Sequence, residues 1–241
     1  MKHIKTSAII STFMLLFLNS CELAPWGCIV GNDRIATEER IIGPFTSVAS
    51  YGSFVVNVEK GTDHSLSIEA DENLLPYIRT NIRGNTLILE TRSGKCLRSR
   101  EPIIIDVLTE NIDELKLAGS GVINADDISA RDFSVELSGS GDINSHNIAV
   151  DYLLAKISGS GNINLSGTSE TADFAITGSG NIRSIDLITE RCYAEISGSG
   201  NIYTYVSNLL EVTITGSGNL YYEGNPELKQ RITGSGNVRR Y

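Results

Sequence analysis

The sequence lacks an apolar stretch long enough to cross a membrane, and it lacks a segment with convincing helical periodicity. Its longest apolar run, residues 8–18, has eleven residues, whereas a membrane-spanning helix needs about 20. Amphipathic helices place apolar residues three and four positions apart, and only residues 71–82, around Pro76, have room for a helical turn or two. The first absence argues against a transmembrane helix, and the second indicates an all-β fold.

Positive charge is also scarce. The chain has 20 Lys and Arg against 29 Asp and Glu, a net charge of −9, and removal of residues 1–20 would take away two lysines and leave −11. Proteins that bind nucleic acid need a basic surface that neutralises phosphates. We therefore do not expect nucleic acid to be a partner of this acidic protein.

Cysteine and histidine are too few and too scattered for a metal site. The chain has three histidines, four cysteines and no Cys-x-x-Cys pair, whereas a structural zinc site needs four such ligands close together. We therefore predict no metal and no cofactor. With Cys21 acylated, as argued next, three cysteines remain. A Cys28–Cys96 disulfide is then an open but unsupported alternative, and Cys192 is expected to be a small buried residue.

The N-terminal segment resembles a bacterial lipoprotein signal. Lys2 and Lys5 precede the apolar run, and the segment ends in Leu18-Asn19-Ser20-Cys21, which is similar to a lipobox. We predict that residues 1–20 are removed, that acyl chains on Cys21 bind the membrane, and that residues 21–33 form a tether. The expected location is the cell envelope, as an outer-membrane lipoprotein on the periplasmic or the surface face. An ordinary secretory signal is the alternative.

The dominant feature of the sequence is a repeated Gly-Ser-Gly tripeptide, whose copies follow one another at intervals of 18–20 residues. An aliphatic residue lies two places before each copy and another lies two places after it, and Asn occupies the position between in five copies. The copies begin at Gly119, Gly139, Gly159, Gly178, Gly198, Gly216 and Gly234. Such self-similarity at a fixed period is typical of a repeat architecture.

A unit of about 20 residues fits one coil of a β-solenoid. Apolar and polar residues alternate before the glycines, as in Val135-Glu136-Leu137, which predicts a strand with one buried face. Stacked coils would align two internal aliphatic ladders, an Asn ladder and an exposed ladder of mixed charge. That exposed ladder would contain Lys116, Glu136, Lys156, Ala175, Glu195, Thr213 and Arg231. We therefore predict that residues 113–241 form a regular parallel solenoid with Gly-Ser-Gly corners; an antiparallel meander is the alternative.

Residues 34–112 also have the pattern of β-strands, but without the regular repeat. Two segments resemble degenerate copies, one beginning at Gly52 and one containing Gly84. We interpret this half as irregular early coils that cap the solenoid, with a separate small β domain as the alternative.

Several motifs together resemble a known family. They are Phe45-x-x-Val48, the segment Ile68–Asn73, and the Gly-Ser-Gly-Asn-Ile units, which are clearest at Gly159–Ile163 and Gly198–Ile202. With the signal segment, they make the chain similar to the auto-transporter adhesin "head GIN domain" family of Bacteroidetes. The resemblance implies a right-handed, single-stranded parallel β-helix and a role in cell adhesion.

Three functions are compatible with such a solenoid. The first is a non-catalytic binding or adhesion module for glycan or protein, and the second is a structural envelope scaffold. The third is a polysaccharide lyase or hydrolase, which would need clustered carboxylates and a cation. The best catalytic candidate is His146 near Asp126 and Asp127, yet these residues are also typical of a solvated corner loop. We therefore predict a binding module and assign no catalytic residue.

Two surfaces are candidates for ligand binding. The first is aromatic and contains Tyr203, Tyr205, Tyr221 and Tyr222, because stacked tyrosines suit sugar or protein contact. Cross-strand stabilisation of the sheet explains these tyrosines equally well. The second is a basic loop with Arg92, Lys95, Arg98 and Arg100, suited to an acidic glycan or a membrane surface; a solvated insertion is the alternative.

The last repeat predicts an open sheet edge. Residues 238–241 form the second strand after the final Gly-Ser-Gly copy, and only Arg231, Arg239 and Arg240 are placed to discourage further strand pairing. Open edges are templates for association. We therefore expect a homo-oligomer, for which a trimer is one arrangement; a monomer whose edge is protected by these arginines is the alternative.

Overall fold

The computed structural model describes residues 27–241, and these residues form nineteen β-strands and one short 3-10 helix, Leu75–Tyr77. Predictions about residues 1–20, Cys21 and the first part of the tether lie outside the described residues. Among residues 27–241, no helix is long and apolar enough to span a bilayer.

The strands fall into an irregular N-terminal set and a regular C-terminal set. The first set is β1 (Ile29–Val30), β2 (Ile35–Ile41), β3 (Ser47–Gly52), β4 (Val55–Lys60), β5 (Ser65–Asp71), β6 (Ile78–Arg83), β7 (Thr86–Thr91), β8 (Leu97–Arg98) and β9 (Ile104–Thr109). The second set is β10 (Glu114–Gly119), β11 (Val122–Asp126), β12 (Ser129–Gly139), β13 (Asp142–Gly159), β14 (Asn162–Gly178), β15 (Asn181–Gly198), β16 (Asn201–Gly216), β17 (Asn219–Glu223), β18 (Glu227–Gly234) and β19 (Asn237–Arg240).

The repeats form a parallel β-solenoid of about six turns, as predicted. Each segment before a Gly-Ser-Gly corner pairs in parallel with the equivalent segment one repeat later, and so does each segment after the corner. We call the stack of segments before the corners sheet 1 and the stack after them sheet 2. The antiparallel meander is therefore wrong, because every strand pair within residues 114–240 is parallel.

The corners are stacks of glycines that touch one another through the backbone. At Gly159 the φ angle is +141°, which side chains rarely permit. A Cβ atom there would lie 2.2 Å from the carbonyl oxygen of Gly139 in the preceding coil. That oxygen accepts hydrogen bonds from the backbone N–H groups of Ser160 and Gly161, at 2.8 and 3.1 Å. The tripeptide thus combines a sharp turn with direct backbone hydrogen bonds between coils.

The two aliphatic ladders on either side of the corner form the solenoid core, as predicted. Residues from Leu117 to Ile214 in one ladder and from Ile123 to Leu220 in the other are at most 2% exposed. The last coil is less well covered, since Ile232 is 37% exposed. Phe133 and Phe174 are also buried in this hydrophobic cluster.

The N-terminal strands extend both sheets beyond the first repeat. Strands β3 and β4 act as one more coil, because Gly52 pairs with Gly119 and Val56 with Ile123. The predicted equivalence of Gly52 is therefore confirmed. Next to this coil, β7 pairs with β3 and β9 pairs with β4, both in parallel. A single hydrophobic cluster runs from Phe45 in this region to Leu220 in the repeats.

Antiparallel pairing ends the solenoid at this N-terminal side. Strand β6 pairs antiparallel with β7, β5 with β9, and β2 with β5. The proposed equivalence of Gly84 with Gly119 is wrong, because Gly84 is in the turn of the β6–β7 hairpin, where Ile82 pairs with Leu87. The chain reverses direction at Gly84 and does not turn a solenoid corner.

A disulfide, a strand pair and side-chain hydrogen bonds hold the segment after residue 27 against the N-terminal end of the solenoid. A disulfide joins Cys28 to Cys96, and β1 pairs with β8 in parallel. The buried carboxylate of Asp71 accepts a hydrogen bond from the backbone N–H of Asp33 at 2.7 Å and another from the Ser99 hydroxyl. Asn73 donates to the carbonyl oxygen of Val30 at 2.8 Å. The family-like segment Ile68–Asn73 thus supplies the polar contacts that hold the entering chain.

In the part of the chain that the structure describes, the opposite end of the solenoid is an open edge. Within residues 27–241, β18 pairs only with β16, and β19 pairs only with β17. The outer backbone groups of these two strands therefore have no sheet partner in the described part of the chain. Association of copies through this edge stays a prediction.

Candidate binding surfaces

Two ladders of amide side chains run along the outer face of sheet 2. In the first ladder, which was predicted, each amide nitrogen donates to the oxygen of the preceding coil, and the distances from Asn162 to Asn219 are 2.8–3.1 Å. The second ladder lies two residues further along each strand and was missed. It joins Asp106, Asn57, Asn124, Asn144 and Asn164 by contacts of 2.7–2.9 Å.

The second amide ladder changes into an aromatic and basic one toward the C-terminal coils. The positions equivalent to Asn164 are Arg183, Tyr203, Tyr221 and Arg239. The rings of Tyr203 and Tyr221 are stacked, with their centroids 5.0 Å apart and their planes 11° apart. Tyr241 approaches Tyr221 edge-on, with the centroids 6.5 Å apart.

Residue parity decides which tyrosines share this face. Tyr205 lies two residues after Tyr203 and is thus on the same side of the strand, and it pairs with Glu223 in the next coil. Tyr222 follows Tyr221 directly and packs against the hydrophobic core. The predicted set of four is therefore corrected: Tyr222 has a core position, because successive side chains of a strand point to opposite faces.

Tyr241 was missed, although the sequence contained the signal for it. It lies 18 residues after Glu223, which in turn lies 18 residues after Tyr205, so the register of the last repeats places all three on one ladder. Its backbone N–H donates to the carbonyl oxygen of Tyr222 at 2.7 Å and extends the parallel pairing. We call Tyr203, Tyr205, Tyr221 and Tyr241 the tyrosine surface.

Arginine side chains lie on both sides of the tyrosine surface. Nη1 of Arg183 is 3.2 Å from the amide oxygen of Asn162 and 3.5 Å from that of Asn164, so the guanidinium ends the second amide ladder and also contacts the first. Arg239 lies on the opposite side of Tyr221 and is exposed. Half-exposed rings flanked by guanidinium and amide groups can stack on a sugar ring and bond its hydroxyl or carboxylate groups.

The predicted basic loop is exposed and lies at the N-terminal end of the solenoid. Arg100 is 3.4 Å from Asp33, while the disulfide at Cys96 fixes the centre of the loop. The structure does not bring this loop and the tyrosine surface together. Six strand steps separate β9, which follows the loop, from the strand of Tyr203, which corresponds to about 29 Å at the usual strand spacing.

The catalytic candidate His146 contacts residues of the loops in the neighbouring coils. Its Nδ1 atom is 3.0 Å from the hydroxyl oxygen of Ser166, and its backbone N–H donates to Asp126 at 3.1 Å. Asp127 accepts a hydrogen bond from the Asn147 amide. The imidazole therefore faces a serine of the next coil, and the carboxylates hold backbone and amide groups. Within the described residues, His, Cys, Asp and Glu form no group that could hold a metal.

An open groove on the outer face of sheet 1 was not predicted. Its volume is about 630 Å³, and Tyr152, Asp173, Tyr193, Glu195 and Glu211 are among its lining residues. Burial, followed by the hydrogen bond to Asp173, raises the pKa of Tyr152 to about 12. Glu211 forms an ion pair with Lys229 at 3.0 Å. The groove thus contains hydroxyl groups and carboxylates, of which Asp173 accepts the hydrogen bond of Tyr152 and Glu211 is paired with Lys229.

The exposed charge ladder has the predicted register, from Lys116 to Arg231. Nζ of Lys116 lies 3.2 Å from Glu136 and 2.6 Å from Glu114. The hydrogen bond to Glu114 is the main cause of the raised pKa of Lys116.

Cys192 is a free, fully buried residue as predicted. Burial raises the pKa of its thiol to about 12, so the thiol stays protonated at neutral pH.

Comparison with known proteins gives one family. Residues 44–226 match the family described as "Putative auto-transporter adhesin, head GIN domain". The chain belongs to this family. No curated protein matches the chain.

Solved structures with a similar fold include proteins from Bacteroides and Parabacteroides species. A putative adhesin from Bacteroides fragilis has a TM-score of 0.84 at 20% identity, covering 88% of this chain and 100% of its own. A putative lipid binding protein from Parabacteroides distasonis has a TM-score of 0.73 at 25% identity, covering 89% and 100%. A putative adhesin from Parabacteroides merdae has a TM-score of 0.68 at 26% identity, covering 88% and 98%.

Proposed function

We propose that this protein is a lipid-anchored cell-envelope module that binds glycan or protein without catalysis, and that the tyrosine surface is its binding site. The observation that carries the proposal is the stacked pair Tyr203 and Tyr221, whose centroids lie 5.0 Å apart on the outside of a rigid sheet. Rigid aromatic side chains bury much area on binding at a small loss of conformational entropy.

The composition of the site points toward glycans. Arg183 and Arg239 add guanidinium groups at both sides of the rings, and the first amide ladder continues beside them through Asn201 and Asn219. Together these groups match a ligand with hydroxyl and acidic substituents, such as a uronic-acid-containing oligosaccharide. The membership in an adhesin-like family supports a binding role at the cell envelope.

Removal of the two stacked rings should abolish most of the binding. We expect the double variant Tyr203→Ala and Tyr221→Ala to bind an array of neutral and uronic-acid-containing oligosaccharides at least about 30-fold more weakly, since aromatic anchors at binding sites contribute about 2 kcal/mol or more. Surface plasmon resonance with the best oligosaccharide gives the affinity. Tyr51→Ala is the matched control, because Tyr51 is 47% exposed and lies on the first coil. Equal losses in both variants would refute the site.

The lipid anchor has its own test. Residue Cys21 follows an apolar segment of eleven residues that is too short to span a bilayer. We therefore expect Cys21→Ser to move the protein from the membrane pellet to the soluble fraction of the cell envelope, where acylated wild type stays with the pellet. Immunoblots of the two fractions measure the distribution. A variant that remains in the pellet after a high-salt wash would contradict the anchor.

A polysaccharide-active enzyme is the second candidate, and the groove on sheet 1 is the observation that favours it. Incubation of the protein with acidic polysaccharides, followed by assays for unsaturated products and new reducing ends, separates this candidate from a binding module. Asp173 accepts a hydrogen bond from Tyr152 and Glu211 is paired with Lys229, so among the described residues Glu195 is the one of these three lining carboxylates without a side-chain partner. The binding role therefore has the stronger structural support.

A further inference from the structure

The basic loop lies next to the place where the N-terminal chain enters the fold. The disulfide ties Cys28 to Cys96 within the loop. The backbone N–H of Ile29 donates to the carbonyl of Cys96, and that of Gly31 donates to the carbonyl of Arg98, both at 2.8 Å. The entering chain and the loop are thus one rigid unit, so anything attached shortly before Cys28 stays close to the loop.

The charges of this loop are directed outward. Residues 92–101 contain four cations and one carboxylate, Glu101, in a chain whose net charge is −9. Arg100 is paired with Asp33 at 3.4 Å. Within residues 27–241, the exposed side chains of Arg92, Lys95 and Arg98 take part in none of the ion pairs. Among the described residues these three cations are therefore unpaired, and they can meet an anionic partner.

The length of the tether identifies that partner. Seven residue steps separate Cys21 from Cys28, and seven steps span at most about 25 Å when fully extended. We propose that the basic loop contacts the phosphate-bearing anionic headgroups of the membrane that holds the acyl chains of Cys21. The proposal rests on the lipid anchor described under the proposed function. Basic residues close to an anionic surface are attracted to it within about one Debye length.

This contact orients the solenoid. With the basic loop on the bilayer, the tyrosine surface lies about 29 Å further along the coils. Acyl chains alone would keep the protein on the membrane but would leave it free to tumble on its tether. The loop adds an intramolecular contact at the high effective concentration that a short tether provides. The consequence is a binding surface that points away from the membrane.

Hydrogen exchange tests the contact on the acylated protein. The protein is placed on vesicles of neutral phosphatidylcholine and on vesicles that also contain phosphatidylglycerol. We expect the amides of residues 92–101 to exchange roughly five- to tenfold more slowly on the anionic vesicles, with the difference lost at high salt. Amides of residues 201–223 should exchange equally on both. Equal exchange of the loop on the two membranes would overturn the proposal.

A matched pair of variants isolates the charges. Arg92→Glu, Lys95→Glu and Arg98→Glu together should remove the slowing. Lys60→Glu, Arg131→Glu and Arg231→Glu should keep it, since these exposed cations lie elsewhere and the change in net charge is the same. Loss of the slowing in both triple variants would mean that net charge, and not the loop, is responsible, and would overturn the proposal.

Further outcomes identify the anion that the loop binds, and they distinguish failure of the lipid anchor from failure of the membrane contact by the loop. Slowing on neutral vesicles by added inorganic phosphate would assign the loop to free phosphate, and slowing by added polygalacturonate would assign it to an acidic glycan. Either result would overturn the membrane contact. Failure of the protein to float with neutral vesicles would refute the lipid anchor itself. Flotation without slowing on anionic vesicles would refute only the orientation by the loop.

Discussion

Replacing Gly159 by alanine is expected to destabilise the solenoid by about 4 kcal/mol or more, one of the largest effects of any single methyl group in this chain. The reason is twofold. The φ angle of +141° is strained for any residue with a side chain. In addition, the new Cβ atom would lie 2.2 Å from the carbonyl oxygen of Gly139, which cannot move without breaking the contact between two coils.

Two control variants separate these causes. Gly84→Ala introduces a Cβ at a positive φ of +60° into open space, so it should cost only the backbone strain, about 1 kcal/mol. Ser160→Ala changes the exposed middle residue of the same corner and should be within about 0.5 kcal/mol of wild type. Urea unfolding followed by far-UV circular dichroism gives the three free energies. A Gly159→Ala variant no less stable than Gly84→Ala would show that the coils are not stacked through their glycines.

The repeats could be predicted from the sequence because each coil has the same pattern of buried residues and the same glycine corner. Alternation around Leu137 fixes which side chains are buried, and a glycine at the same place in each coil fixes the corner. Register then follows from alignment alone, which is why the charge ladder from Lys116 to Arg231 was correct in every step.

The N-terminal strands could not be predicted in the same way. The spacing around Gly84 resembles that of a solenoid corner, yet the chain reverses there into an antiparallel hairpin. Residue spacing alone does not distinguish a reversal from a corner, because both need a glycine between two apolar segments. The Cys28–Cys96 disulfide was likewise open, since the distance between residues 68 positions apart depends on the whole clasp around Asp71.

The binding surface was partly predictable. The stacking of Tyr203 on Tyr221 followed from the repeat register and is present in the structure. The error at Tyr222 arose from grouping residues by proximity in sequence, whereas strand parity sends neighbours to opposite faces. The groove on sheet 1 was missed, although Asp173 and Tyr193 each lie five residues before a Gly-Ser-Gly corner and the repeat alignment therefore places them side by side.

A polar residue in the aliphatic ladder should also have a large effect. Ile163 is fully buried and lies between Ile143 and Ile182 in the neighbouring coils. We expect Ile163→Asn to lower the free energy of unfolding by about 4 kcal/mol, because it removes a buried apolar side chain and buries an amide. For a chain of this size the midpoint of thermal unfolding should fall by roughly 10 °C.

The new amide would not be able to join the existing amide ladders. Asn162 and Asn164 donate and accept on the outer face of sheet 2, while position 163 points inward between them. Lys156→Asn is the matched control, because it introduces the same residue at an exposed position of sheet 1. It should leave the midpoint of thermal unfolding within about 2 °C of that of wild type. Differential scanning calorimetry of both variants measures the two midpoints of thermal unfolding. Equal losses would contradict the inward orientation of the Ile163 ladder, on which the parallel stacking of the coils depends.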